Sequence, residues 1–131
     1  MTDFVHLHLH TEYSLLDGAA KVEDLVDHMV KNGIDTCAVT DHGKMYASLY
    51  FAEECVKRGL HYIIGCELYV TDDMYDHRYG TKTEHIVLLA KNKTGYKNIV
   101  KLDSMSYIDG FYGKPRTDYK SIKEHLQSGK R

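Results

Sequence analysis

Residues 4–17 read FVHLHLHTEYSLLD. Histidine is the commonest metal ligand and titrates near neutral pH. Here His6, His8 and His10 alternate with apolar residues ahead of Asp17. In His8-Leu9-His10 the two imidazoles sit two apart on an extended chain and point the same way, so both can reach one divalent cation. Further along, Asp41-His42 follows an apolar run, Glu67 follows another in IIGCE, and His85 opens HIVLLA. His8, His10, Asp17, His42, Glu67 and His85 together offer mixed nitrogen and oxygen donors. That mixture suits zinc, manganese or iron better than magnesium, which prefers oxygen alone. More than four donors imply more than one ion, with carboxylates bridging. Two ions ~3.5–4 Å apart can clamp a phosphate and supply hydroxide for in-line attack, with no serine or cysteine nucleophile required. Asp41, next to His42, is better placed to orient a ligand than to be one. His6 shares the ligand face but lies one step further into the strand, where supporting the ligands or packing suits it better than binding.

Each piece has a plainer reading. A lone His-x-His on a strand is a weak sign of metal. The same pair combined with Asp-His after a second strand and Gly-x-Glu after a third is a much stronger one. His28 on a helix, His77 in a polar loop and His125 on the last helix read as surface residues, and His61, opening a strand, as structural. Cys66 adjoins Glu67, but alternation turns it to the opposite face.

The elements that must position these groups follow from periodicity. Residues 4–10 alternate as a strand, with Phe4, His6, His8 and His10 on one face and Val5, Leu7 and Leu9 on the other. Residues 22–31 read as a helix, because Val22, Leu25, Val26, Met29 and Val30 recur at helical spacing before Gly33. A short buried strand over 36–40 and a helix over 46–58 closed by Gly59 come next. HYIIG continued by CELYV is a third strand, 71–83 a polar loop, and 85–91 a fourth strand. A helix over 95–107, a turn-rich FYGKPR linker and a last helix over 119–128 complete the chain. Strand spacings of this size match βα units, which favour parallel strands and right-handed crossovers. The fold class is therefore α/β, either doubly wound or part of a β/α barrel. In both, ligands collect at the carboxyl ends of the strands. His85 fits that rule less well, since it begins its strand; either that strand starts earlier or its direction differs.

The length of 131 residues is that of one ordinary domain. A net charge of −2 argues against a typical stand-alone nucleic-acid binder, though an ion at a metal site can supply positive charge. The Lys-rich segments KNKTGYKNIVK and YKSIKEHLQSGKR read as solvated helix faces. Cys37, Cys55 and Cys66 are odd in number and lack CxxC spacing, which points to a reduced, cytoplasmic compartment. No signal peptide and no run long enough to span a membrane is visible.

The phrases HLHTEYSLLDGA, VTDHGKMY, IIGCELYV, EHIVLLAKNKTGYKNIVKL and GFYGKPR stand in this order. From about residue 4 to 128 the chain resembles the N-terminal PHP (polymerase and histidinol phosphatase) domain of bacterial DNA polymerase III alpha subunits. The His-x-His and Asp-His-Gly pieces alone indicate only the PHP superfamily; EYSLLDGA and GFYGKPR point to the polymerase branch. The resemblance implies a distorted seven-unit β/α barrel, with about four βα units present here and a cluster of typically three metal ions at the carboxyl rim. It implies His8, His10, Asp17, His42, Glu67 and His85 as ligands, so His85 joins the set, and it does not support His6. It further implies metal-dependent phosphodiester hydrolysis resembling a 3′–5′ proofreading exonuclease. In the full-length protein it implies DNA-directed DNA synthesis, with DNA and other replicase subunits as partners. The family's remaining ligands, a Cys or His and a later Asp-x-His, and the polymerase palm would fall beyond Arg131. The chain is thus expected to be the N-terminal portion of a PHP domain, weak or inactive by itself, with open sheet edges that favour self-association. Two alternatives are a free-standing small-molecule phosphatase of the histidinol-phosphate type, which would not be expected to carry EYSLLDGA or GFYGKPR, and a non-catalytic metal-binding or stabilising module.

Overall fold

The computed structural model describes residues 4–15 and 17–127. Its spine is one long strand. Helix α1 (Val22–Lys31) buries Val22, Val26 and Met29 on one face. Glu23 and Asp24 in its first turn and Lys31 in its last complement the helix dipole. After β1 (Thr36–Val39), helix α2 (Ala47–Lys57) lays Phe51 and Cys55 against α1 and β1 in a first core cluster with Ile64. Phe51 is wholly buried, a contribution of about 1.5–3 kcal/mol for a side chain of its size.

The long strand β2 (His61–Thr71) pairs in parallel with β1, from Thr36 opposite His61 to Val39 opposite Ile64. Strand β3 (Glu84–Leu89) covers its other edge. Helix α3 (Lys93–Ile108) starts at Asn92, whose side-chain oxygen accepts from Gly95 N at 2.9 Å. Strand β4 (Arg116–Asp118) then pairs in parallel with the far end of β2, and α4 (Tyr119–Gln127) follows. Cys66, Leu68 and Val70 of β2 join Ile99, Leu102 and Ile122 in a second cluster beneath α3 and α4. By alternation Glu67 and Tyr69 face away from that core.

Three features differ from the sequence expectations. The strands are not all parallel: β3 runs antiparallel to β2, with Gly65 opposite Leu89 and Val70 opposite Glu84. The connection between them contains no helix, and a helix is the usual means of returning the chain for parallel pairing. Residues 4–10 are not a regular strand. They run beside β1 through a single bridge between His6 and Cys37, with Ala38 N donating to His6 O at 2.8 Å. Further along, Leu9 N donates to the Thr40 hydroxyl at 2.9 Å, so a side chain takes the place of a ladder partner. Strand β4 emerges directly from the segment read as a linker. The helix expected over 119–128 is present through Gln127, and residue 128 lies outside the described residues. Among the described residues no helix is long and apolar enough to cross a membrane.

Candidate metal centre

Glu67 occupies the middle of the site, with its side chain only 4% exposed. Its Oε2 contacts His8 Nε2 and lies 2.8 Å from His10 Nε2. Its Oε1 lies 2.7 Å from His85 Nδ1 and 3.4 Å from His42 Nδ1. One buried carboxylate thus faces four imidazoles from three parts of the chain. Asp17 closes the far side, with Oδ2 2.5 Å from His42 Nε2 and Oδ1 3.7 Å from His10 Nδ1.

Local structure explains this convergence. The loop after His10 is folded onto Asp41, which is buried and accepts from Thr11 N at 2.6 Å, Thr11 Oγ1 at 2.8 Å and Ser14 Oγ at 2.6 Å. His42 N donates back to Ser14 Oγ at 3.1 Å. The same loop tightens at Gly18, whose N donates to Ser14 O at 2.7 Å and where any side chain would collide with the Thr11 carbonyl. Asp17 is thereby held over His42. His42 continues the β1 edge and bridges to Glu67 of β2. Gly43 follows at φ 53°, with Pro115 and Tyr69 packed where a Cβ would project. Tyr69 stacks on His42 at 6.0 Å and meets His85 edge-on at 4.8 Å, which fixes both rings.

Burial pushes the Glu67 carboxyl up, but the bonds from His10 and His8 and the charge of His42 outweigh it, and its pKa is lowered on balance. The bond from His42 holds Asp17 below the ordinary carboxylate range. Both are therefore anionic near neutrality, as a ligand must be.

The donor set fits divalent metal on its own geometry. His8, His10 and Glu67 form one group whose ligand atoms lie within 4.8 Å of one another; His10, Asp17 and His42 form a second, and His42, Glu67 and His85 a third. His42 Nδ1 is buried without a hydrogen-bond partner, although it lies beside Glu67. His8 Nε2 and His10 Nε2 also face each other at 3.2 Å. Lone pairs crowded in this way gain from a shared cation.

All six candidate ligands named from the sequence are brought together. His6 is not; its ring packs edge-on against Phe4 at 4.7 Å, and none of the metal-competent groups among the described residues includes it. Asp41 acts on the loop that carries Asp17 rather than on a histidine ring. Cys66 faces the core, its thiol directed at the Asp41 and Lys44 carbonyls, both at 3.6 Å. His77 stacks on Tyr112, His28 lies beside Asn32, and His125 Nδ1 contacts Ser121 O. Sequence reasoning missed Thr11, Ser14 and Tyr69. Tyr69 was within reach, being two residues from Glu67 on one strand and so on the same face.

Residues 6–129 match the family profile described as PHP domain. The chain belongs to the PHP domain family. Curated relatives of this PHP domain are DNA polymerase III alpha subunits. That of Treponema pallidum is 44% identical over 128 residues, covering 95% of this chain and 11% of the relative. That of Helicobacter pylori is 45% identical over 123 residues, covering 93% and 10%, and that of Thermus aquaticus is 41% identical, covering 95% and 11%. The chain spans about a tenth of the length of these relatives. Two solved structures share the fold. An amidohydrolase from Chromobacterium violaceum, with bound sulfate and no metal, aligns with TM-score 0.52 at 23% identity, over 77% of this chain and 34% of that one. A putative metal-dependent phosphoesterase from Bifidobacterium adolescentis aligns with TM-score 0.53 at 20% identity, over 79% and 34%.

Proposed function

We propose that this PHP domain belongs to the N-terminal region of a replicative DNA polymerase III alpha subunit and carries part of a multi-metal phosphoesterase site resembling a 3′–5′ proofreading exonuclease. The observation that carries the reading is the sharing of Glu67 by His8, His10, His42 and His85, in a chain 41–45% identical to the three alpha subunits named above. His8, His10, Asp17, His42, Glu67 and His85 are the residues that would hold zinc, manganese or iron ions. Bound divalent ions supply Lewis acidity at a phosphate ester and lower the pKa of water. The chain's own part is to fix the carboxylates and rings: Asp41 holds the loop, Tyr69 holds two imidazoles, and Glu67 presents both oxygens. DNA-directed synthesis, contacts with DNA and other replicase subunits, and a cytoplasmic location belong to the longer protein in this reading.

The site is open. The side chains of His8, Asp17 and His85 are 56%, 50% and 47% exposed, so little excludes bulk water. The purified chain is therefore expected to bind one or two divalent ions and to hydrolyse bis(p-nitrophenyl) phosphate poorly. Elemental analysis and a hydrolysis assay on one preparation test this. A metal-free chain would overturn the metal reading, and brisk metal-dependent turnover would overturn the expected weakness. His8→Ala should lower the metal content, and an unchanged stoichiometry would remove His8 from the site.

A further inference from the structure

A cleft of about 480 Å³ opens directly beside the cluster, bordered by Asp17, His42 and His85 on one side. Its lining also includes groups the metal site does not use: Lys44, Tyr107, Phe111 and Lys114. The rings of Tyr107 and Phe111 lie 6.2 Å apart at 24°, forming an aromatic platform. Phe111 is 51% exposed, so its ring is open to a ligand in the cleft. Lys114 Nζ sits 4.7 Å above the Tyr69 ring, and Lys44 Nζ 5.9 Å from that of Tyr46. Among the described residues neither ammonium forms a salt bridge; Lys114 Nζ donates to the Thr83 hydroxyl at 3.4 Å and the Lys44 charge acts on Asp103, while both side chains line the cleft. Because Tyr69 also stacks on His42, an anion held at Lys114 is one ring away from the cluster.

We propose that this cleft receives the terminal nucleotide of a single-stranded polynucleotide, with its base against Tyr107 and Phe111 and its phosphate toward Lys44 and Lys114. The volume falls within the roughly 300–1,000 Å³ of small-molecule pockets, enough for one nucleotide. Aromatic faces beside cations are the means by which single strands are held without sequence readout. A sugar phosphate would leave the aromatic pair unused, and an acidic peptide would meet only two cations and an aromatic wall. The assignment rests on reading the cluster as a phosphodiester-cleaving site and names the groups that present the substrate to it.

The test is fluorescence anisotropy with 5′-labelled oligothymidylate and the 131-residue chain, in EDTA so that binding is independent of metal and no cleavage occurs. An abasic oligomer of equal length serves as the second probe. Phe111→Ala should weaken oligothymidylate binding about tenfold while leaving the abasic oligomer unchanged, since stacking on one aromatic carries roughly 1–3 kcal/mol per base. Phe111→Tyr should retain binding. Lys114→Ala should weaken both oligomers and lower the slope of log affinity against log salt by about 0.7. Equal affinity for the two oligomers, no saturable binding to either, or unaltered binding by both alanine variants would overturn the proposal. Elemental analysis of protein from the same purification, taken before any chelator is added, reports on the metal reading separately: a chain that is metal-free there and still prefers oligothymidylate sinks that reading and leaves the cleft assignment standing.

Discussion

His85 stands directly opposite Tyr69 in the antiparallel β2–β3 ladder, two residues along β2 from Glu67, and its Nδ1 reaches Glu67 Oε1 at 2.7 Å. Only reversal of β3 makes this possible. A parallel strand would carry its first residue to the opposite end of β2, away from His42 and Asp17.

Glu67→Gln removes the negative charge shared by four imidazoles while keeping the shape. Loss of a group that merely supports a ligand costs about 10–100-fold in metal affinity, and loss of a shared ligand should cost at least as much. Isothermal titration with zinc is expected to show weaker binding and fewer ions per chain. Unchanged stoichiometry would place the ions elsewhere.

Asp41→Ala leaves Thr11 N, Thr11 Oγ1 and Ser14 Oγ without their acceptor inside the protein. Hydrogen bonds to a charged group are worth about 1.5–3 kcal/mol each, though not additively. Urea unfolding should show a loss of about 2–4 kcal/mol, with a parallel drop in metal affinity because Asp17 is no longer held over His42. A stability loss with metal affinity intact would show that the loop does not position Asp17.

Asp103 is half-buried on α3, with one carboxylate oxygen enclosed and unpartnered, and desolvation pushes its pKa up to about 6, with Lys44 opposing. Its folded-state pKa thus exceeds the unfolded value near 3.8. Between those values the folded state binds the extra proton, so stability rises as pH falls through about 6 and the gain is complete near 3.8. Asp103→Asn should therefore stabilise the chain by about 2 kcal/mol at pH 8 and have little effect at pH 3.5. Urea midpoints at the two values decide it, and an equal shift at both would rule out the buried charge as the cause.

Arg116 is 1% exposed, and its guanidinium donates to the Gly110, Asp76 and Met74 carbonyls at 3.1, 2.9 and 3.1 Å. It ties the 74–76 loop to the segment bearing Phe111 and Lys114. Lysine cannot reproduce the planar fork. Arg116→Lys is expected to cost about 3 kcal/mol, seen as a lower melting temperature; a variant as stable as the parent would contradict this account.

Strand β3 pairs with β2 on one edge, and among the described residues no strand covers the other. An open edge is a template for another chain. Light scattering should therefore show a mass above that of the 15.1 kDa monomer, rising with concentration. A clean monomer across the range would count against it.

Much of this was legible in the residues. The spacing of Val22, Val26 and Met29 fixed α1, and alternation separated Glu67 from Cys66, because side-chain direction along one element depends only on local backbone geometry. The donor types themselves named the class of ion. The antiparallel turn of β3, the irregular pairing of the first segment where Leu9 meets Thr40 and the short β4 strand were not legible, since each depends on which edges remain unpaired after the rest has folded. Likewise the sequence by itself supplied six candidate ligands and could not exclude His6. Only the tertiary structure decided that one buried carboxylate faces four imidazoles while His6 turns to Phe4. Distances between residues far apart in the chain are set by packing and register, which no local pattern encodes.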